Sequence, residues 1–213
     1  RDHAFIADLL HGLGDHVAHI DGSLFDSTGA DAGGWTSSPG HDGALAQLSN
    51  GNIVMVSTSA TNTILYEIRD GTTGGTVLAS TDIADADSTN ADVVALSGGG
   101  FWVINEDEIG AIGGDSDIDV RRYDNAGVFQ GSFTIDLSSD RDVDVSAAQL
   151  DNGNVAIAYT KIVGAETEIW YAVYNSSGGV VRAADVFDSF GTINEDDLAP
   201  GPDDLYSIGT ATH

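Results

Sequence analysis

Residues 47–56 read QLSNGNIVMV, residues 95–104 read ALSGGGFWVI and residues 149–159 read QLDNGNVAIAY. Each stretch sets a leucine before a short run of Ser, Asn, Asp and Gly, then a hydrophobic run. Anchored on Leu48, Leu96 and Leu150, the copies recur at intervals of 48 and 54 residues. A degraded copy, APGPDDLYSIGTA, follows with Pro200 in the leucine's position. An apolar residue stands five positions after each anchor: Ile53, Phe101, Val155 and Leu205. The intervening residues tolerate positive φ, which two-residue hairpin turns demand, so each copy predicts strand, turn, strand.

The other half of the repeat recurs as well, in LYEIRDGTTGGTVLAS, VRRYDNAGVFQGSFTI and WYAVYNSSGGVVRAAD. Its turn residue is Asp70, Asp124 or Asn175, and Asp21 in VAHIDGSLFDSTGA offers the same role near the N-terminus. The chain thus opens on the second half of a repeat and closes on the first half of one. Four strands in about 50 residues is the period of a β-propeller blade. Splitting one blade between the termini closes the ring without an exposed edge. The expected fold is all-β: one β-propeller domain over residues 1–213, with four-stranded blades. Four blades are expected, the closing one shared by the two ends, with residues 1–15 as a surplus arm or extra helical turn. A two-sheet sandwich is the rival fold, and an excerpt from a longer array is the rival organisation.

Composition narrows the partners. The chain carries 34 Asp and Glu against 7 Lys and Arg, a formal charge of −27, which excludes nucleic acid and anionic membrane surfaces as ligands. With no cysteine there is neither a disulfide nor a thiolate metal site. No apolar run is long enough to span a membrane. The start at Arg1, without methionine or signal peptide, reads as a processed product or a segment of a larger chain or assembly.

The motifs AQLDNGNVAIAY, VALSGGGFWVI and VRRYDNAGVFQGSF, with an Asp or Asn six residues before each anchor, resemble the propeller-type repeats of large secreted bacterial proteins. Those proteins are the RTX-like adhesins and hemolysin-type calcium-binding proteins. The resemblance runs over about residues 16–208 and implies an extracellular or cell-surface setting. The glycine-rich calcium nonapeptide of true RTX rolls is absent, GGDSDIDV being a faint echo, so roll-type calcium binding does not carry over.

Candidate sites follow from the repeat. Asp42, Asn90, Asp144 and Asn194 stand six residues before the four anchors, where a propeller would ring its axis with oxygen-bearing side chains. Such a ring suits Ca²⁺, which takes several oxygen ligands. Asp and Asn also start strands and bond their own turn backbone. Acidic clusters lie at 82–92, 106–119, 138–144 and 194–197, and the alternating Asp115, Asp117 and Asp119 would point one way from a strand, as a loose calcium site or a solvated edge. His3, His11, His16 and His19 have spacings that zinc tolerates, but they lack a metalloprotease motif and read as part of an exposed arm. Trp35, in the Gly-rich DAGGWTSSPG, is expected in a loop and is the candidate for ligand contact, whereas Trp102 and Trp170 fall in strands.

No nucleophile elbow or Ser–His–acid set is present. The first functional expectation is therefore a non-catalytic, adhesin- or lectin-like binding or structural domain for a glycan, cell-surface or protein partner, with Ca²⁺ as a stiffening ion. A viral or filament-associated spike is a second reading. The third is a propeller glycoside hydrolase using opposed carboxylates, for which Asp42 and Asp144 are the pair to test.

Overall fold

The computed structural model describes residues 4–10, 19–25, 28–83, 87–109 and 114–190, and every regular element among them is a β-strand. The strands are β1 (Ala4–Leu10), β2 (His19–Phe25), β3 (Asp31–Pro39), β4 (His41–Gln47), β5 (Ile53–Thr58), β6 (Ile64–Arg69), β7 (Thr76–Asp82) and β8 (Ser88–Ala95). They continue with β9 (Phe101–Ile109), β10 (Asp115–Tyr123), β11 (Phe129–Thr134), β12 (Arg141–Gln149), β13 (Val155–Val163), β14 (Glu166–Tyr174) and β15 (Val180–Phe190). Three successive antiparallel meanders, β4–β7, β8–β11 and β12–β15, match the three repeats. A three-stranded sheet, β1–β2–β3, precedes them. The first strands of the meanders are neighbours: β8 packs against β4 on one side and β12 on the other. This arrangement fits a β-propeller.

The hydrophobic runs that follow each anchor become second strands, and their burial records how many faces are covered. In β9, Phe101 and Val103 enter the core shared with β5 and β6, while Trp102 and Ile104 enter the core shared with β13. A strand sandwiched in this way has no polar face, which is why FWVI is continuous rather than alternating. β5 is also buried along its whole length. β13 alternates instead: Val155, Ile157 and Tyr159 are buried, and the residues between them are only half-buried. Aromatic contacts seal the seams, Tyr66 with Tyr123 at 4.9 Å between centroids on one side and Phe133 with Tyr174 at 4.6 Å on the other.

The turns differ from the expected two-residue type. Leu48, Leu96 and Leu150 each donate their N–H to the carbonyl four residues on, at 2.7–2.9 Å. Within those turns Gly51, Gly99 and Gly153 take the positive φ. That is a three-residue hairpin loop with a left-handed third residue, which glycine supplies at least cost. In the other turn Asp124 Oδ1 accepts from the N–H groups of Ala126 and Val128, and Asn175 Oδ1 from those of Ser177 and Gly179. Asp70 does the same for Thr72 and Thr73. The Asp/Asn requirement there is local backbone capping.

Two N-terminal expectations are corrected. Asp21 is inside β2 and not at a turn, and the hairpin glycine of this sheet is Gly29, at φ +80. Gly29 follows FDST as Gly127 follows YDNA, so β2 and β3 correspond to the third and fourth strands of the other meanders. Residues 4–10 form a strand paired along its length with β2, not an arm or helical turn. Pro200, Asn194, the acidic stretch 194–197 and His3, His11 and His16 lie outside the described residues; of His19 only the backbone, in β2, is described.

Candidate active site

Asp42, Asn90 and Asp144 occupy the same place in three consecutive first strands. Each has a left-handed backbone, with φ of 49°, 48° and 55°. Each also lies in a register shift, between His41 and Ala44, Thr89 and Asp92, and Val143 and Ser146. These are β-bulges, and Asn and Asp are the non-glycine residues that best tolerate the left-handed conformation. Backbone geometry therefore accounts for the residue type at three of the four positions singled out in the sequence. The bulges also leave all three side chains exposed. Asp42 is bonded to its neighbour, with His41 Nδ1 at 2.5 Å from Oδ2.

Between two of these bulges lies a carboxylate that breaks the repeat. Ten residues after each anchor stand Thr58, Glu106 and Thr160. Glu106, on β9, is 1% exposed. Its Oε1 accepts from Asn90 Nδ2 at 3.0 Å and from the Asp144 N–H at 2.6 Å, so it ties the bulge of β8 to that of β12. Burial pushes its pKa above the usual carboxylate range; the bonds from Asn90 and Asp144 N–H oppose this, the Asp144 carboxylate adds to it and Arg141 opposes it again. Asp92 supports the same seam: its Oδ2 accepts from Ala147 N–H at 2.8 Å, and burial raises its pKa too. Composition could not single out Glu106 within its acidic cluster. The signal was the departure of one copy from Thr.

The alternating acids of β10 are not a solvated edge. Asp117 is 4% exposed and sits with Asp115 and Asp119 on one face, where Asp119 accepts from Thr134 Oγ1 at 2.5 Å. Trp35 is not in a loop: it pairs with Gly22 within the β2–β3 hairpin and is half-buried. Its indole lies where a Cβ on Gly22 would fall and stacks near Arg69, 6.0 Å from the ring centroid. It packs one sheet onto the next. Among the described residues no three His, Cys, Asp or Glu side chains already converge on a metal-holding centre.

No family model matches the chain, and no curated protein does. Solved structures do match in backbone course. An endo-arabinase from Bacteroides thetaiotaomicron superposes with a TM-score of 0.51 at 12% identity, covering 87% of this chain and 76% of that one. A glycoside hydrolase superposes at 0.50 and 11% identity, covering 91% and 47%. An α-L-arabinofuranosidase from Lactobacillus brevis, at 0.49 and 10% identity, is also similar, and the chain spans about half (53%) of its length. At such identities the likeness shows the all-β, propeller-type fold. The expectation of a domain without catalysis is corrected by these matches: the two chains that superpose at a TM-score of 0.50 or above are an endo-arabinase and a glycoside hydrolase.

Proposed function

We propose that this chain is a propeller glycoside hydrolase whose chemistry sits at the bulges of its axial strands. The observation that carries the reading is Glu106: a buried carboxyl with a raised pKa, held between two bulges, directly beneath the exposed Asp144. Glycoside hydrolysis needs one carboxyl that keeps its proton near neutral pH and a second, ionised one across the scissile bond. Glu106 is the candidate for the first role, because burial raises its pKa. Because its Oε1 already accepts two hydrogen bonds, a proton it carries sits on Oε2. Asp144 holds that proton in place by like-charge repulsion. Asp42, exposed at the equivalent bulge two axial strands away, is the opposing carboxylate that activates water or attacks the sugar.

The endo-arabinase of the same fold sets glycans as the substrate class to assay first. With this reading go a glycan partner, an extracellular or cell-surface setting, and a ring of four blades of which β1–β3 form part of the closing one. The test is release of reducing ends from a panel of polysaccharides. Asp144→Asn and Asp42→Asn should each lower turnover by about 10²-fold or more while glycan binding persists. Binding without hydrolysis by the wild type would overturn it.

A further inference from the structure

A row of ionisable side chains crosses the sheet formed where the second and third meanders meet. β10 and β12 pair in parallel at Ser116 and Arg141, and the Ser116 hydroxyl donates to the Asp142 carbonyl at 2.7 Å. One step further along both strands, Asp117 stands beside Asp142. On the far side Asp142 pairs with Lys161, and Lys161 with Glu168. Laterally paired residues share a face of a sheet. Two aspartates are therefore neighbours on a buried face.

The charges there do not balance. Lys161 is the only lysine in the chain and is 4% exposed. Its ammonium is bonded to Asp136 and to Ser138 Oγ at 2.6 Å, and it stands 3.7 Å from Asp140 and 3.9 Å from Asp142 Oδ1. One cation thus serves three carboxylates before Asp117 is counted. Asp142 is fully buried, yet neither of its carboxylate oxygens has a hydrogen-bond partner, and the same holds for Oδ1 of Asp117 and Oδ1 of Asp115. Buried polar oxygens without partners are costly, and more so when charged. Their shared direction onto one face marks what is missing: positive charge.

We propose that Asp117 and Asp142, with Asp115 beside them, bind a hard divalent cation of the calcium class at the seam between the two meanders. Oxygen-only ligands that share one face of a sheet suit Ca²⁺, which accepts irregular geometry and completes its shell with water and carbonyl oxygens. The carboxylates do not already converge, so binding draws the two side chains together and belongs in the weak range, on the order of 10⁻⁴–10⁻³ M. Lys161 guards the other flank of Asp142 and restricts the ion to the Asp117 side. The cation clamps one meander to the next, because its two main ligands come from different meanders.

The experiment is a thermal melt of the full chain at about pH 8, where carboxyls of raised pKa ionise. Ca²⁺ is added to millimolar concentration with ionic strength held constant by NaCl. The wild type and Asp151→Asn, a change in an exposed turn, should melt at higher temperature as Ca²⁺ rises. Asp117→Asn and Asp142→Asn keep the shape of the side chain and should lose the response. A wild type that ignores Ca²⁺, or a response that survives in both Asn variants, would overturn the site. Tb³⁺ emission sensitised by Tyr159 or Trp170 and displaced by Ca²⁺ gives a second readout should a variant fold poorly; no sensitised emission from the wild type counts against the site.

Discussion

Glu106 and Asp142 are both buried acids, but they are satisfied differently. Glu106 receives two hydrogen bonds on one oxygen, whereas Asp142 receives none and relies on an ammonium 3.9 Å away. Burial raises both, and Asp142 reaches about 7 and Asp117 about 6. The folded pKa of each aspartate lies above its unfolded value near 3.9, so each binds its proton more tightly when folded. Their contribution to stability is whole below that unfolded value and is lost as pH rises through about 6 to 7. Metal-free protein should therefore lose urea resistance between about pH 4 and 7 and level off above that, and Asp142→Asn should exceed the wild type at the alkaline end. A flat profile would show that the row is solvated. At the axial site, Asn90→Ala removes both a donor to Glu106 and a residue suited to φ +48°. It should cost about 1–3 kcal/mol in a denaturant melt, and Asn90→Gly less, because glycine restores the backbone.

Strands and turns were legible in the sequence to different depths. The anchor, its turn and the second strand were read in the right places, because a hydrophobic run bounded by Gly and Asn carries its own punctuation. The turn type is not legible there, since SNGN serves a two- or three-residue loop equally and only the hydrogen bond from Leu48 to Asn52 distinguishes them. Trp35 was assigned to a loop because its glycine-rich neighbours are poor strand formers. Of those neighbours, Gly33 adopts φ +119° and a Cβ on Gly34 would stand 2.6 Å from the Gly22 carbonyl oxygen, while the indole itself takes the space that Gly22 leaves on the partner strand. Asp42, Asn90 and Asp144 were found by spacing, yet their bulges were hidden, as was the parallel contact that sets Asp117 beside Asp142. Gly100 gives an element-scale test. Its φ is +86° and a Cβ there would stand 2.3 Å from the Tyr123 carbonyl oxygen, so Gly100→Ala should destabilise by about 2 kcal/mol or more.

At the scale of the molecule, three meanders share two cores, and the middle one is covered on both faces. Removing Trp102, fully buried at the second seam, should cost about 3–5 kcal/mol as Trp102→Ala. The loss should reach the seam between the meanders and not only the strand that holds it. The axial bulges repeat because the meanders repeat, but only one copy places a carboxyl beneath them. That single departure is where the proposed catalysis is placed. The most direct measurement is therefore glycan turnover by Glu106→Gln beside the wild type, with fold checked by its melt. Turnover by the wild type that falls at least about 10²-fold in a folded Glu106→Gln is the predicted result. Equal turnover in the two proteins would contradict the account.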